Sequence, residues 1–148
     1  MTVNGQTETI KSALYTEYAA DGTDEAEFDL YLFKDVFSQV PTEEPSFYVN
    51  IEVSESLYGK TLDLTKPLEK NSNLQPYLYI TVVGNEKDFS IEYYDNTIRV
   101  TNDATVTAGT LTATRNGDNF TIKLSVKLSN GNSTMADWEG TATKVSFK

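Results

Sequence analysis

The chain contains no cysteine and no histidine. The first absence excludes disulfides, thiolate nucleophiles, zinc knuckles and iron–sulfur clusters. The second excludes Ser-His-Asp and Cys-His catalysis and every imidazole metal site. Arginine occurs only as Arg99 and Arg115, and 12 Lys and Arg stand against 22 Asp and Glu, for a net charge of −10. A phosphate-tracking surface needs clustered basic side chains to displace counterions. Nucleic acid is therefore not an expected partner, and an anionic membrane surface is disfavoured on the same ground. No apolar run approaches the ~20 residues of a membrane-spanning helix. The glycines are isolated at turns, so no loop cradles a phosphate. Met1–Gly5 passes straight into polar, strand-like sequence without an apolar leader. Two settings fit that start: a cytosolic protein, or a mature chain whose leader has been removed.

What is present describes one all-β domain over 1–148. The length of 148 residues suits a single domain. An apolar share of 39% and an aromatic share of 11% supply a core without disulfides or metal. Turn signals recur every 8–15 residues, with alternating apolar segments between them. The clearest strand is 120–129, where Phe120, Ile122, Leu124, Val126 and Leu128 share one face and Thr121, Lys123, Ser125, Lys127 and Ser129 the other. Such alternation means one buried and one wet face. Asn116-Gly117 and Asn130-Gly131 bracket it with hairpin turns, so 106–147 reads as a three-stranded meander. Phe47–Val53, Asp88–Tyr94 and Thr97–Thr101 are further strands. Segment 7–19 fits either a helix stripe or a strand, and the turn at Asn4-Gly5 favours the strand. Loops are expected at 19–26, 36–46 and 66–76, and Pro41, Pro45, Pro67 and Pro76 fall in or beside the last two.

Two strands, 27–35 and 77–83, are apolar on both faces, which marks central strands covered on the second side by a loop, a helical turn, another subunit or a ligand. The expectation is an antiparallel β-sandwich of about nine or ten strands, with a flattened, lipocalin-like β-barrel as the alternative.

Val3-Asn4-Gly5 followed by Ile10–Tyr15, the segment Tyr58–Lys66, and the closing run Ala108–Ala113, Gly117–Ile122 and Trp138–Thr143 form a recognisable set of phrases. Together they resemble small all-β secreted or lipoprotein domains of unknown function from gut Bacteroidetes. The resemblance is scattered over most of the chain, and its motifs are turns, a glycine beside a bulge and a buried aromatic. It implies a ligand- or lipid-binding protein outside the cytoplasm, with a leader removed and a lipidated cysteine just upstream of residue 2. It carries over no functional residues.

The residues offer few sites of their own. Tyr31, Phe33, Tyr48, Tyr77, Tyr79 and Tyr94 point away from the main apolar register. Stacked tyrosines can hold a sugar or line an apolar cavity, because a flat ring carries a hydroxyl handle. The plainer reading is β-propensity with cross-strand pairing. The strand carboxylates Asp29, Glu52, Glu92, Asp137 and Glu139 could include a glycosidase pair. Asp29, Glu52 and Glu92, however, lie on the polar side of their strands, where charge is expected anyway. The acidic loop Asp21–Glu27 lacks the spacing of a calcium loop and reads as a solvated turn. Asn119-Phe120-Thr121 and Asn132-Ser133-Thr134 match glycosylation sequons but are common by chance in such a composition. Trp138, in register with Ala136, Gly140 and Ala142, reads as core.

The expectation is a non-catalytic cell-surface or secreted module that binds a glycan, lipid or protein, with no metal and no cofactor. A structural domain that assembles through its two-faced strands, as in a homodimer, is the alternative. A hydrolase using carboxylates alone is the minor one.

Overall fold

A computed structural model describes residues 1–70 and 73–146. It is a two-sheet β-sandwich. Sheet one, in spatial order, contains β2 (Gln6–Thr7), β1 (Thr2–Val3), β12 (Ser133–Thr141), β11 (Asn119–Leu128), β10 (Val106–Asn116) and β6 (Leu62–Asp63). Sheet two contains β13 (Thr143–Lys144), β3 (Ser12–Tyr18), β4 (Glu27–Phe33), β5 (Tyr48–Ser54), β7 (Leu78–Val83), β8 (Phe89–Tyr94) and β9 (Thr97–Val100). All pairings are antiparallel except that of β13 with β3. Nine strands have four residues or more, which meets the expected number, and four have only two. The sheets do not close into a barrel.

Alternation builds the core. Phe28, Leu30 and Leu32 of β4 and Val49, Ile51 and Val53 of β5 are fully buried. They share one cluster with Leu111, Ile122, Leu124 and Val126 of the opposite sheet. The space between the sheets is thus filled by side chains. The meander β10–β11–β12 forms as expected, with turns at 117–118 and 129–132. Its expected last residue, 147, lies outside the described residues, as do 71 and 72 of the loop at 66–76. Asp95 and Asn96 both take positive φ, 51° and 60°, in the two-residue turn from β8 to β9. Segment 7–19 resolves as strand from Ser12 onward. Trp138 is half-buried against the core, its indole over Gly140, where a Cβ would stand 2.6 Å from Cζ2.

The two-faced strands β4 and β7 flank the central strand β5. Part of their second face is covered by the loop at 34–46: Phe37 packs edge-on against Phe33, with ring centroids 4.8 Å apart.

Candidate functional site

The outer face of sheet two is an ordered array of four rows, each running across the strands. Antiparallel register fixes them. The first row is Ser12, Phe33, Tyr48 and Val83; the second is Leu14, Tyr31, Asn50, Thr81 and Ser90. The third is Thr16, Asp29, Glu52, Tyr79, Glu92 and Arg99. The fourth holds Tyr18, Glu27 and Ser54. It continues through the Ser54–Tyr77 hydrogen bonds to Tyr77, Tyr94 and Thr97.

The six aromatics expected at a binding surface therefore separate into two groups. Tyr31, Phe33 and Tyr48 meet at one end, with centroids 5.8–6.0 Å apart. Here the loop closes over them. Phe33 and Tyr48 are buried, and the Tyr48 hydroxyl donates to Glu44 Oε1 at 2.9 Å. This end is a satellite core, and only Tyr31 remains half-buried. Tyr77, Tyr79 and Tyr94 meet at the other end, which is open. Tyr77 lies 6.1 Å from Tyr79 and 5.7 Å, edge-on, from Tyr94. All three are half-buried, as Tyr31 is. Tyr77 donates to Glu92 Oε2 at 3.2 Å and Tyr94 to Asp24 Oδ1 at 2.7 Å, so the hydroxyls fix the rings from the side.

The open-end tyrosines share their two rows with a band of carboxyls. Asp29 and Glu52 are directly opposed, a like-charge arrangement that costs stability in a sheet. Asp29 is on the expected side of its strand, yet it is buried rather than wet. Asn50 Nδ2 donates to Asp29 Oδ1 and, at 3.0 Å, to the Leu30 carbonyl. Glu27 Oε2 is buried with no hydrogen-bond partner among the described residues. Burial first, and then the neighbouring carboxyls, push Glu52 up to about 8 and Glu27 up to about 7. Burial pushes Asp29 up to about 6, against the opposing hydrogen bond from Asn50. The cation of the band is Arg99, exposed at the sheet edge and 3.8 Å from Glu92.

Asp137 and Glu139 lie elsewhere. They are exposed on the outer face of sheet one, opposite Lys123 and Thr121. In the acidic loop, Asp21 serves its own turn: its Oδ1 accepts from the amides of Thr23 and Asp24 at 2.6 and 2.7 Å. Asp24 and Glu25 tie the loop to its neighbours, accepting from the Tyr94 hydroxyl and, at 3.0 Å, from Ser56 N. Tyr18, exposed at 45%, is not singled out as a site residue in the sequence, and Glu27 reads there only as the end of the acidic loop. Both follow from period-2 alternation once β3 is known to be a strand. An open cleft of about 620 Å³ adjoins them, bounded by Glu17, Tyr18, Glu27, Tyr58 and Arg115.

No protein-family model, curated protein or solved structure matches the chain.

Proposed function

We propose that the protein is a non-catalytic binding module of the cell exterior, and that the open end of the outer face of sheet two receives a glycan. The observation that carries this reading is the set of half-buried rings Tyr77, Tyr79 and Tyr94, with Tyr77 5.7–6.1 Å from the other two and carboxyl acceptors beside them. A ring face offers apolar stacking to a sugar's C–H face, and carboxyls and phenols accept from its hydroxyls. A lipid is less well served, because the space between the sheets is filled. The placement outside the cell rests on the resemblance to secreted and lipoprotein domains. A lipid anchor upstream of residue 2 belongs to the same proposal.

The test is an array of defined oligosaccharides probed with the labelled protein and with Tyr79→Ala and Tyr77→Ala. Circular dichroism confirms that the variants fold. Selective retention by the wild type, lost in both variants, is the expected result. Equal retention by all three proteins, or none by the wild type, overturns it. Analytical ultracentrifugation separates the assembly reading: a dimer that Tyr79→Ala dissociates would assign this face to a subunit contact.

A further inference from the structure

We propose that Glu27, Asp29 and Glu52 form one proton-sharing switch that holds the tyrosine face in order when protonated and loosens it when ionised. The proposal deepens the glycan reading by adding regulation of the same surface, and it rests on that reading only for its effect on binding.

The geometry is a cluster with nowhere to send its charge. Asp29 and Glu52 stand opposite each other on neighbouring strands, and Glu27 lies two residues from Asp29 on the same face. Strands and loops on several sides bring further groups to the cluster. β3 contributes Thr16 and Tyr18. β4 adds Tyr31, and β5 adds Tyr48 and Asn50. β7 contributes Tyr79, Tyr77 stands just before it, and β8 contributes Glu92 and Tyr94. The loops bring Asp24 toward Glu27, Glu44 toward Tyr31 and Tyr48, and Asp88 toward Tyr48. Arg99 is the cation of this array, and it sits beyond Glu92 with its side chain 79% exposed, while Arg115 and Lys144, which border the cleft beside Glu27, are both paired with Glu17. Ionising the cluster therefore adds charge of one sign to a buried layer without a counter-charge within it. Such a layer must admit water or move its side chains apart.

Two further observations agree. Glu27 Oε2 is buried without a partner, a costly state for a carboxylate and a milder one for a neutral carboxyl. The phenols of Tyr18, Tyr31 and Tyr77 are held above their ordinary range, by burial first and then by these same carboxyls. Rings and carboxyls are thus one electrostatic unit. A ring platform that is ordered before the ligand arrives loses less entropy on binding, so ionisation of the carboxyls beside the rings weakens the platform.

The experiment is a side-chain carboxyl and tyrosine-ring NMR titration of the full chain from pH 4 to 10, in wild type, Glu52→Gln and Glu27→Gln. The second variant serves if the first fails to fold. In the wild type, at least one of the three carboxyls should titrate above pH 6, with Tyr18, Tyr31 and Tyr77 ring signals following the same midpoints. Tyr15 and Tyr93, buried in the core, should not follow. Either Gln variant should lower the midpoints of the remaining carboxyls. Three independent midpoints below pH 5, or midpoints unmoved in the variants, overturn the switch. The oligosaccharide array read at pH 5.5 and 8.5 supplies the functional arm: retention should fall at least threefold at the higher pH in the wild type and stay level in Glu52→Gln. Retention that falls equally in both proteins overturns the regulation. An array without retention at either pH removes the glycan reading, while the switch still stands or falls on the titration.

Discussion

The guanidinium of Arg115, carried by β10 of sheet one, donates to Glu17 Oε1 of β3 in sheet two at 2.5 Å. The same group lies 4.9 Å from the Tyr15 ring centroid and 5.4 Å from that of Phe120. Tyr15 in turn donates to Asp118 in the β10–β11 turn. One cation thus ties the two sheets together at one end of the sandwich by charge, hydrogen bonding and stacking. Its side chain is only 16% exposed, so it is less screened than an ordinary surface pair. Arg115→Ala should cost about 2–3 kcal/mol by summing a stacked cation and a charged hydrogen bond. Arg115→Lys should recover less than half of that, because an ammonium cannot stack while bonding sideways. Urea denaturation of the two variants checks this. Equal stability of Arg115→Lys and wild type would show that charge alone matters.

Asn50 provides a second test, on the outer face. Its amide nitrogen serves both Asp29 and the Leu30 carbonyl from a buried position. Asn50→Ala leaves two buried acceptors short of a donor, and about 2–4 kcal/mol of stability should be lost at neutral pH. The loss also has an electrostatic signature. The Asn50 bond holds Asp29 down, so its removal should move the Asp29 midpoint further up. A double-mutant cycle of Asn50→Ala with Asp29→Ala should show a coupling of about 1 kcal/mol or more. Strict additivity would mean that the contact contributes nothing.

These two residues also show how much was legible in the sequence. The alternation of 120–129 announces its strand outright, because every second side chain is apolar and the intervening ones are polar. β3 is harder to read: Ala13 and Tyr15 face the main core while Leu14 faces the satellite cluster, so both parities are apolar. The polar side of β4 and β5 is legible as a face. Its burial is not, because burial depends on which strands lie alongside. Asp29 becomes an interior carboxyl only because Glu52 and Asn50 come from a partner 21–23 residues away in sequence. The split of the six aromatics into a covered and an open group depends on Phe37, whose loop shows no periodicity. The two-residue strands β1, β2, β6 and β13 are too short for any pattern to mark.

Trp138 offers an optical test of packing. A Cβ added at Gly140 would stand 2.6 Å from its Cζ2 and 3.0 Å from its Cε2, so the ring has to move. Gly140→Ala should cost about 1–3 kcal/mol through overpacking. Trp138 is the chain's sole tryptophan, so its emission reports the displacement directly. The maximum should shift to longer wavelength as the half-buried indole swings toward water. An unchanged spectrum with unchanged stability would show that the indole does not depend on the missing Cβ.

Stability itself should depend on pH with a definite sign. Glu27, Asp29 and Glu52 are raised in the fold to about 7, 6 and 8. In the unfolded chain they return to about 4. Between these limits the folded state binds more protons than the unfolded one, so stability falls as pH rises. The fall begins near pH 4, where the unfolded carboxyls ionise, and ends once the folded cluster has ionised as well, above pH 8. Denaturant midpoints should therefore be higher at pH 5.5 than at pH 8.5. The difference is about 2–4 kcal/mol once solvent screening of the half-buried groups is allowed for. The net charge of −10 adds a repulsion of the same sign, so the wild-type profile alone does not isolate the cluster. Glu52→Gln does. It removes one unit of charge among 22 acidic side chains, a small change in overall repulsion but a large one beside Asp29 and Glu27. Its midpoints should converge on the wild type at pH 5.5 and exceed it at pH 8.5. An acidic surface residue changed in the same way, such as Glu139→Gln on the opposite sheet, should move the profile far less. If both substitutions flatten it equally, the pH dependence belongs to net charge and not to the carboxyls beside the tyrosines.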